Sequence, residues 1–508
     1  MSRINTNISS LIAQRVLGAN NQNLGFSLER LSTGLRINRG KDDPAGLIAS
    51  ENLRSEISSL NSAINNSERA DQVVNIAEGG LQEVSTLLTE LQGLLTASAS
   101  SAGLSESEKE ANQLQIDSIL QTIDRVASST SFQGTKLLSG NFDYQVDSVA
   151  SGVSDFRVNG AKFEGSSLAV NAIVTQSAQQ AGLYLSLNAA SGIDIGTGSA
   201  FTIEVAGAKG TRELQFSSGQ TISDIVNAIN TFSDVTGVVA SAGTTGVALR
   251  SSDFGSDEFV SVTIVDDGTI GTGSNIGVYN FQSGDNGTID SSSHTDFTDT
   301  GAAGDGIRDE GQDIAGTVNG LLATGKGKTL KVNSDFLDVS ITLDTSTAQS
   351  LASVSAFTIT GGGADFQLAS DVNIAGKVSI GIQDVAVRKL GNSTVGFLDD
   401  LGSGKAFNVV DAGGAEFSTA QKIVDEAIDQ VSSLRGRLGA FQKNVIGATI
   451  RSLGVAVENT AAAESVIRDA DFATETAGLT RSQILVSAST NVLALANQSP
   501  QNVLSLLG

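Results

Sequence analysis

The two ends of this 508-residue chain carry helical apolar repeats, and its middle does not. Near the C-terminus apolar residues recur in alternating steps of three and four, which is the spacing of a coiled-coil seam. That seam comprises Val424, Ala427, Val431, Leu434, Leu438, Phe441 and Val445. Matching N-terminal repeats are Leu53, Ile57, Leu60 and Ile64, then Leu81, Val84, Leu88, Leu91 and Leu95. Because neither end can bury its apolar stripe alone, we expect the ends to pair with each other or with copies of the chain.

Residues from about 145 to 405 are rich in Gly, Ser, Thr, Val and Asp instead. Runs with a period of two, such as 260–264 and 339–343, predict strands with one buried face. One short helix is expected from 221 to about 230, where Thr221 and Asp224 are spaced as a capping pair. The predicted fold class is α+β and multidomain, with paired N- and C-terminal coiled-coil helices and a mostly β outer domain inserted between them.

Interruptions of the helical apolar pattern predict where the helices begin and end. Pro44 disfavours helical geometry at Asp43, so a joint is expected there. A Ser/Gly-rich break at 98–105 separates two further helices. Helix is expected again from residue 419, with a joint near 468–472 and a stop at Pro500.

The composition excludes several classes of function. The formal net charge of −24, from 31 basic and 55 acidic side chains, argues against binding to nucleic acid or to an anionic membrane surface. The chain has no cysteine, so disulfides and thiolate chemistry are not available to it. Residues 1–25 do not resemble a secretory signal, and no stretch is long enough to span a bilayer. Stability must therefore come from packing and assembly.

Candidate catalytic and ligand-binding patterns are weak. Residues 320–326 fit the start of a phosphate-binding loop, but Gly327 stands where Ser or Thr would bind magnesium. His294 is the only histidine, which excludes a two-histidine zinc helix, and its polar surroundings favour a solvated loop residue. The acidic residues between 296 and 313 lack the regular spacing of a calcium loop. We expect no catalytic, cofactor or metal site, and hence no enzyme.

Many seam positions near the two ends of the chain are Ala, Ser or Asn. A buried Leu contributes roughly 1.5–3 kcal/mol and Ala far less, so such seams are too weak to hold an isolated hairpin. We therefore predict that residues 1–43 and 470–508 are disordered in the monomer and become ordered on assembly.

Several blocks at the two ends carry a resemblance to a known family. They are 4–7 (INTN), 30–38 (RLSTGLRIN), 41–46 (KDDPAG), 132–138 (FQGTKLL), 469–473 (DADFA) and 494–504 (ALANQSPQNVL). In these blocks the chain closely resembles bacterial flagellin, the subunit of the flagellar filament. Residues 201–249 are similar to the insert repeat of flagellar proteins. The resemblance implies a self-assembling structural protein of the extracellular flagellum, with paired ends in the filament core and the middle facing solvent.

The resemblance also implies partners and an export route. The protein would leave the cell unfolded through flagellar type III export, which accounts for the missing signal peptide. Its partners would be copies of itself, an export chaperone, and the hook-junction and cap proteins. The domains expected are 1–43 with 470–508 as inner core, 44–179 with 405–469 as a coiled-coil core carrying a β-hairpin, and 180–404 as the variable outer region.

Seam strength divides the apolar residues between assembly and monomer core. The predicted assembly interface comprises Ile4, Ile8, Leu11, Leu28, Arg30, Leu31, Leu35, Arg36, Asn38, Asp42, Asp43, Leu485, Val492, Leu495, Val503 and Leu504. The predicted coiled-coil core comprises Leu81, Val84, Leu88, Val424, Val431, Leu434, Leu438, Phe441 and Val445. The polar members of the first set lie between two helical layers and are interpreted as interfacial rather than as ordinary caps.

One departure from the family predicts an altered interaction. Many flagellins have basic residues where this chain has Glu90 and Gln92, and an acidic residue at Gly93. In those relatives Toll-like receptor 5 binds that patch. Because a carboxylate here replaces a basic group, weak or no activation of the receptor is expected. Neutral drift on a surface helix is the alternative.

Two other functions remain open from the sequence. A hook-filament junction protein shares the same end motifs. The middle region is alternatively an adhesin or glycan-binding module displayed on the filament, for which an exposed aromatic cluster would be the supporting feature.

Overall fold

A computed structural model of the chain describes residues 6–100, 103–187, 193, 195, 199–270, 275–282, 285–298 and 306–504, with the backbone alone at 285–286 and 499–504. The chain divides into two compact units. The first contains residues 1–72, 366–376 and 440–508, and the second contains residues 73–365 and 377–439. Each unit therefore draws on both halves of the sequence. This division does not test the three predicted domains or the predicted disorder of residues 1–43 and 470–508 in the monomer, and both stay predictions.

The helices cluster toward the two ends of the sequence. They are α1 (Ile8–Thr33), α2 (Pro44–Ser98), α3 (Glu106–Ser129), α4 (Ile222–Thr231), α5 (Ser233–Thr236), α6 (Thr345–Ala348), α7 (Gly414–Ala440), α8 (Gly447–Arg468) and α9 (Phe472–Leu504). A 3-10 helix covers Leu398–Leu401, and a π-helical turn covers Phe441–Ile446. The predicted breaks at Pro44, at 98–105 and at 468–472 are all present.

Capping side chains explain several helix ends. Pro44 is the first residue of α2, a position where its missing N–H costs nothing, and Asp43 accepts a hydrogen bond from Gly46 N at 2.9 Å. Ser105 and Glu108 form a capping box at the start of α3. Helix α7 starts earlier than the predicted residue 419, because Glu416 accepts from Gly413 N at 3.0 Å and supports another turn.

Two predicted features of the C-terminal helices were wrong. The backbone of α9 continues through Pro500 to Leu504, so Pro500 does not stop the helix. Proline removes one backbone donor, and the carbonyl that loses it, that of Ala496, accepts another hydrogen bond. In the π-helical turn an added residue moves the buried position from the predicted Val445, which is half-buried, to Ile446.

The first unit is helical. Hydrogen bonds join the start of α1 to the end of α9 and the end of α1 to the start of α9, so the two helices are antiparallel. Within the same unit, Glu51 of α2 pairs with Arg468 of α8 at 3.0 Å. The loop 366–376 lies on α2, where Ser59 Oγ donates to Ser370 O at 2.7 Å.

The second unit holds nearly all of the strands. In chain order the strands are β1 (Ser131–Phe132), β2 (Thr135–Lys136), β3 (Tyr144–Asp147), β4 (Val153–Ala161), β5 (Leu168–Gln176), β6 (Gly182–Ser186), β7 (Phe201–Gly207), β8 (Gly210–Phe216), β9 (Val238–Ala242), β10 (Gly246–Ser251), β11 (Phe259–Asp267), β12 (Gly277–Gln282), β13 (Asp285–Ile289), β14 (Ile307–Glu310), β15 (Ala315–Val318), β16 (Leu321–Lys326), β17 (Thr329–Asn333), β18 (Leu337–Leu343), β19 (Ser353–Gly362), β20 (Ala364–Gln367), β21 (Lys377–Ile380), β22 (Gly391–Asn392) and β23 (Gly396–Phe397).

These strands build two separate β cores. An eight-stranded antiparallel sheet has the order β3-β19-β5-β15-β16-β17-β18-β4, and its buried face includes Val170, Leu330 and Phe357. A second core joins the five-stranded sheet β13-β12-β6-β10-β9 to the four-stranded sheet β14-β11-β7-β8, with α4 packed against it. The predicted capping pair of α4 is present, since Thr221 and Asp224 bond each other reciprocally. Helices at both ends and β structure between them confirm the predicted fold class.

Candidate functional site

The α1/α9 pair is joined mainly by polar side chains. Asn20 Nδ2 donates to Ser489 Oγ at 2.7 Å, and Arg30 forms an ion pair with Glu475 at 3.0 Å. Among the side chains that the structure describes, the buried residues of the pair are small, namely Ser10, Ala13, Ser482 and Ser489. Small side chains remove little apolar area from water. The pairing therefore contributes much less burial than a leucine-rich seam would.

The large apolar side chains of the same two helices remain exposed. Those predicted to form the assembly interface are between 43% and 69% exposed: Ile8, Leu11, Leu28, Leu485, Val492 and Leu495. Leu31 and Leu35 are half-buried. Ile4 lies outside the described residues, and the side chains of Val503 and Leu504 are also outside them. Exposed apolar surface of this extent is typical of protein–protein interaction sites.

The joint between α1 and α2 is bonded to the joint between α8 and α9. Arg36 N donates to Arg468 O at 2.7 Å, and Arg36 Nη2 donates to Ile467 O at 2.5 Å. Ala470 N donates to Gly34 O at 2.9 Å, which links the chain again just beyond the helix ends. These backbone groups would otherwise be unpaired at helix termini. The joint is thus a built feature of the first unit.

The acidic and amide residues of the joint act on its own backbone. Asp42 accepts from Arg39 N at 2.9 Å and from Asn38 N at 3.2 Å. The hydrogen bond from Arg39 N is the main reason that the pKa of Asp42 lies below its usual value. Asp43 approaches Arg36 at 3.7 Å. The predicted interfacial residues therefore make local contacts within the chain, and whether they also contact a neighbour stays a prediction.

The seam of the second unit is closed. Leu81, Val84 and Leu88 of α2 are fully buried. The α7 positions Val424, Val431, Leu434 and Leu438 are buried to within 2% exposure. Polar contacts flank them, since Gln92 Nε2 donates to Asp425 at 2.7 Å and Arg435 pairs with Glu78 at 2.8 Å. Phe441, the next seam residue, is buried in the first unit.

The three residues predicted to alter a receptor patch, Glu90, Gln92 and Gly93, lie on this part of α2. Glu90 and Gly93 are exposed, and nothing lies near the position that a Cβ on Gly93 would occupy. Gln92 is half-buried because its side-chain amide is bonded to Asp425. Of these three residues only Glu90 is charged, and its carboxylate lies at a surface that Arg435 of α7 also lines.

The weak chemical candidates have structural roles. The Gly320–Gly327 segment forms β16 and a turn rather than a loop that opens a helix. His294 Nε2 lies 2.8 Å from Ile276 O, and its ring packs on Tyr279. Asp309 accepts from Gly182 N at 2.7 Å, and burial raises its pKa. Within the described residues, no three His, Cys, Asp or Glu side chains group so that they could hold a metal ion.

Sequence reasoning named Arg30 but missed the other small and polar residues that join α1 to α9. It selected leucines and valines by periodicity, whereas the contacts run through Asn7, Ser10, Asn20 and Ser489. Ser and Ala at seam positions were the available signal. Among the described residues, no helix is long and apolar enough to cross a membrane.

Family models match both ends of the chain and part of its middle. The bacterial flagellin N-terminal helical region matches residues 4–143. The bacterial flagellin C-terminal helical region matches residues 421–507. The flagellin hook IN motif matches residues 200–253, which include the predicted insert repeat.

Relatives match along the whole length. The chain is 30% identical to a flagellin of Salmonella choleraesuis and 31% identical to a flagellin of Salmonella rubislaw, with 99% of each chain covered. It is 30% identical to B-type flagellin of Pseudomonas aeruginosa over the same share of both chains. Among solved structures, FliC from Burkholderia pseudomallei is similar over 74% of this chain and 99% of that one, with 16% identity and a TM-score of 0.23. Because that superposition is poor, the assignment rests on the sequence matches: the chain belongs to the bacterial flagellin family.

Proposed function

We propose that the chain polymerises into the bacterial flagellar filament and serves swimming motility. Its contribution is mechanical: copies pack their terminal helices together, and the resulting tube transmits the torque of the motor. Family membership supports a structural subunit rather than an enzyme.

The exposed apolar face of α1 and α9 carries this proposal. The pair buries Ser and Ala between its helices and leaves large side chains such as Leu11, Val492 and Leu495 in solvent. In a protein that remained monomeric this arrangement would be unfavourable, because about 25 cal/mol is lost for each Å² of apolar surface left in water. Copies of the same chain supply the missing cover if the pairs stack side by side.

Seeded polymerisation tests the proposal. Purified chain is mixed with short flagellin seeds and followed by light scattering and negative-stain microscopy, beside a truncation that lacks residues 1–43 and 470–508. Long tubes are expected from the intact chain and none from the truncation. An intact chain that stays monomeric beside the seeds would contradict the assignment.

A matched pair of substitutions separates the assembly face from general apolar exposure. Leu495 and Leu322 are both strongly exposed leucines, one on α9 and the other on β16 of the second unit. We expect Leu495→Asn to slow or abolish elongation and Leu322→Asn to leave it unchanged. Equal effects would remove the reason for placing assembly at the terminal helices.

We further propose an extracellular location reached by flagellar type III export, with an export chaperone and the hook-junction and cap proteins as transient partners. The test is secretion in a flagellated host whose own flagellin gene is deleted, with and without a functional export apparatus. Chain in the culture medium only when the apparatus works is the expected result.

Weak activation of Toll-like receptor 5 is the third part of the proposal. The exposed Glu90 carboxylate and the engaged Gln92 amide replace basic groups that relatives present. Purified monomer is compared with an enterobacterial flagellin on receptor reporter cells, together with the Glu90→Arg variant. Low activity that rises in the variant is expected, and full activity of the unaltered chain would refute this part.

The two alternative functions make different predictions. A hook-filament junction protein would fail to elongate filament seeds. An adhesin would need an exposed aromatic platform, but Tyr184 and Tyr279 are 6% and 8% exposed. No specific observation on the described residues favours either alternative.

A further inference from the structure

We propose that Asn7 is a positioning residue that helps to set the register of α1 against α9, by donating a hydrogen bond to a carbonyl that Pro500 leaves without its helical partner. This inference rests on the proposed function only in that assembly is one of its readouts. It assigns a specific purpose to two residues at opposite ends of the sequence.

Pro500 creates an unpaired acceptor inside α9. In an α-helix the carbonyl of residue 496 would accept from the backbone N–H of residue 500. Proline has no N–H, yet the helix continues to Leu504. The carbonyl of Ala496, a half-buried residue, therefore lacks its helical donor, and a hydrogen bond from another group stabilises it.

Asn7 supplies that donor and also caps its own helix. Its Nδ2 lies 2.8 Å from Ala496 O. Its Oδ1 accepts from Ser10 N at 3.1 Å, which is the N-cap interaction of α1. Because one side of the amide faces an N–H and the other faces a carbonyl, the two contacts require the same orientation. One side chain thus couples the start of α1 to the interrupted turn of α9.

A second hydrogen bond joins the start of α1 to the same turn of α9. Ser10 Oγ donates to Asn497 Oδ1 at 2.8 Å. The chain therefore places two polar pairs between the first turn of α1 and the turn of α9 that ends at Pro500.

Packing in the rest of the seam contributes little to the register, which the Asn20–Ser489 and Arg30–Glu475 contacts also define. The buried side chains described up to residue 498 are Ser and Ala, so moving α1 by one turn would replace one small residue with another at little cost in packing. A side-chain donor that faces an acceptor without its helical partner does distinguish the positions, as a single polar pair does in coiled coils. The Asn7–Ala496 contact exists in one register only, and a shifted neighbour would leave the acceptor unpaired.

A double-mutant cycle tests the coupling. Asn7→Asp keeps the oxygen that caps α1 and removes the donor. Pro500→Ala restores a backbone N–H for Ala496 and so removes the need for the donor. The four proteins, unaltered, each single variant and the double variant, are compared by critical concentration in seeded elongation and by hydrogen exchange of peptides covering 490–504. Asn7→Ser, which caps but is too short to reach α9, serves as a second variant without the added charge.

The expected result is non-additive. Asn7→Asp and Asn7→Ser should each raise the critical concentration about fivefold, the usual effect of one lost hydrogen bond. The same substitutions on the Pro500→Ala background should change it less than about twofold. Exchange over 490–504 should accelerate in the single Asn7 variants and return to the unaltered rate in the double variants.

Other outcomes overturn the inference. Equal effects on both backgrounds would show that Asn7 acts only as a cap. If the unaltered chain does not elongate, the proposed function fails, and the register is then decided by comparing exchange among the variants. Exchange over 490–504 that is the same in all variants would refute the pairing, while exchange that depends on both Asn7 and Pro500 would support it.

Discussion

The α1/α9 pair and the α2/α7 seam have the same apolar spacing but bury opposite kinds of residue. In the second unit, α2 and α7 bury Leu81, Leu88 and Leu434 almost completely. In the first unit, α1 and α9 bury Ser and Ala and leave Leu11 and Leu495 more than half exposed. A three-four apolar repeat therefore does not show whether its residues are buried within the chain or remain exposed for a partner.

The size of the residues on the inner face makes the difference. Leucine on that face stabilises an isolated chain, whereas serine or alanine on that face holds two helices together weakly. Large apolar residues on the outer face then favour association with further copies. Under the proposed function, the first arrangement stabilises the monomer and the second serves assembly, a combination that suits a reversible polymer.

The largest expected effect is the loss of a leucine from the closed seam. Leu88→Ala should destabilise the chain by about 2–5 kcal/mol, because it leaves a cavity in a fully buried position. Leu495→Ala should change the unfolding free energy of the same isolated chain by no more than about 0.5 kcal/mol. Urea denaturation followed by circular dichroism measures both.

The opposite pattern would break the comparison. If Leu495→Ala lowered the monomer's stability as much as Leu88→Ala, the face of α9 that carries Leu495 would be part of the monomer core. The proposal that copies of the chain cover that face would then fail.

Two neighbouring glycines of α2 test how closely the second unit is packed around the closed seam. A methyl group on Gly80 would lie 2.7 Å from Thr130 Oγ1 and 2.8 Å from Leu138 Cδ1, whereas a methyl group on Gly79 would meet nothing within 4 Å. We expect Gly80→Ala to cost about 1–3 kcal/mol through overpacking. Gly79→Ala should stabilise by about 0.5–1 kcal/mol, since glycine is unfavourable inside a helix.

Thermal unfolding of the two variants provides the measurement, and each is the control for the other. Stabilisation by both substitutions would mean that the 130–138 segment does not pack on α2 as the structure has it.

Residue patterns predicted the helical ends, the β middle and most of the closed seam, because burial of Leu, Ile and Val follows the period of the backbone. These patterns gave wrong predictions where the helical period of the backbone changed or where the backbone lost an N–H donor. The π-helical turn after Ala440 moved burial from Val445 to Ile446, and the helix passed through Pro500. The contacts between α1 and α9 were missed for a different reason: Asn, Ser and Ala carry little periodic signal, and their partners lie more than 400 residues away in sequence.

The smallest expected effects concern two carboxylates whose pKa values are displaced in opposite directions. Hydrogen bonding by Arg39 N lowers the pKa of Asp42 from its usual 3.8. The contribution of Asp42 to the free energy of unfolding is therefore present above pH 3.8 and is lost as the pH falls through the pKa of the folded state. Burial raises the pKa of Asp155 from 3.8. The contribution of Asp155 to the free energy of unfolding is present below pH 3.8 and is lost as the pH rises through the pKa of the folded state.

Substitution by Asn should therefore have opposite signs in the two regions. At pH 7, Asp42→Asn should destabilise the first unit, while Asp155→Asn should slightly stabilise the second, because Arg157 retains its 2.7 Å ion pair with Glu426. Both effects should be smaller than that of Gly80→Ala and should shrink when urea unfolding is repeated at pH 3. An Asp155→Asn variant that is destabilised at pH 7 would show that its contact with Arg157, at 3.8 Å, outweighs the burial of the charge. The second unit would then depend on ionised carboxylates in the same way as the joint of the first.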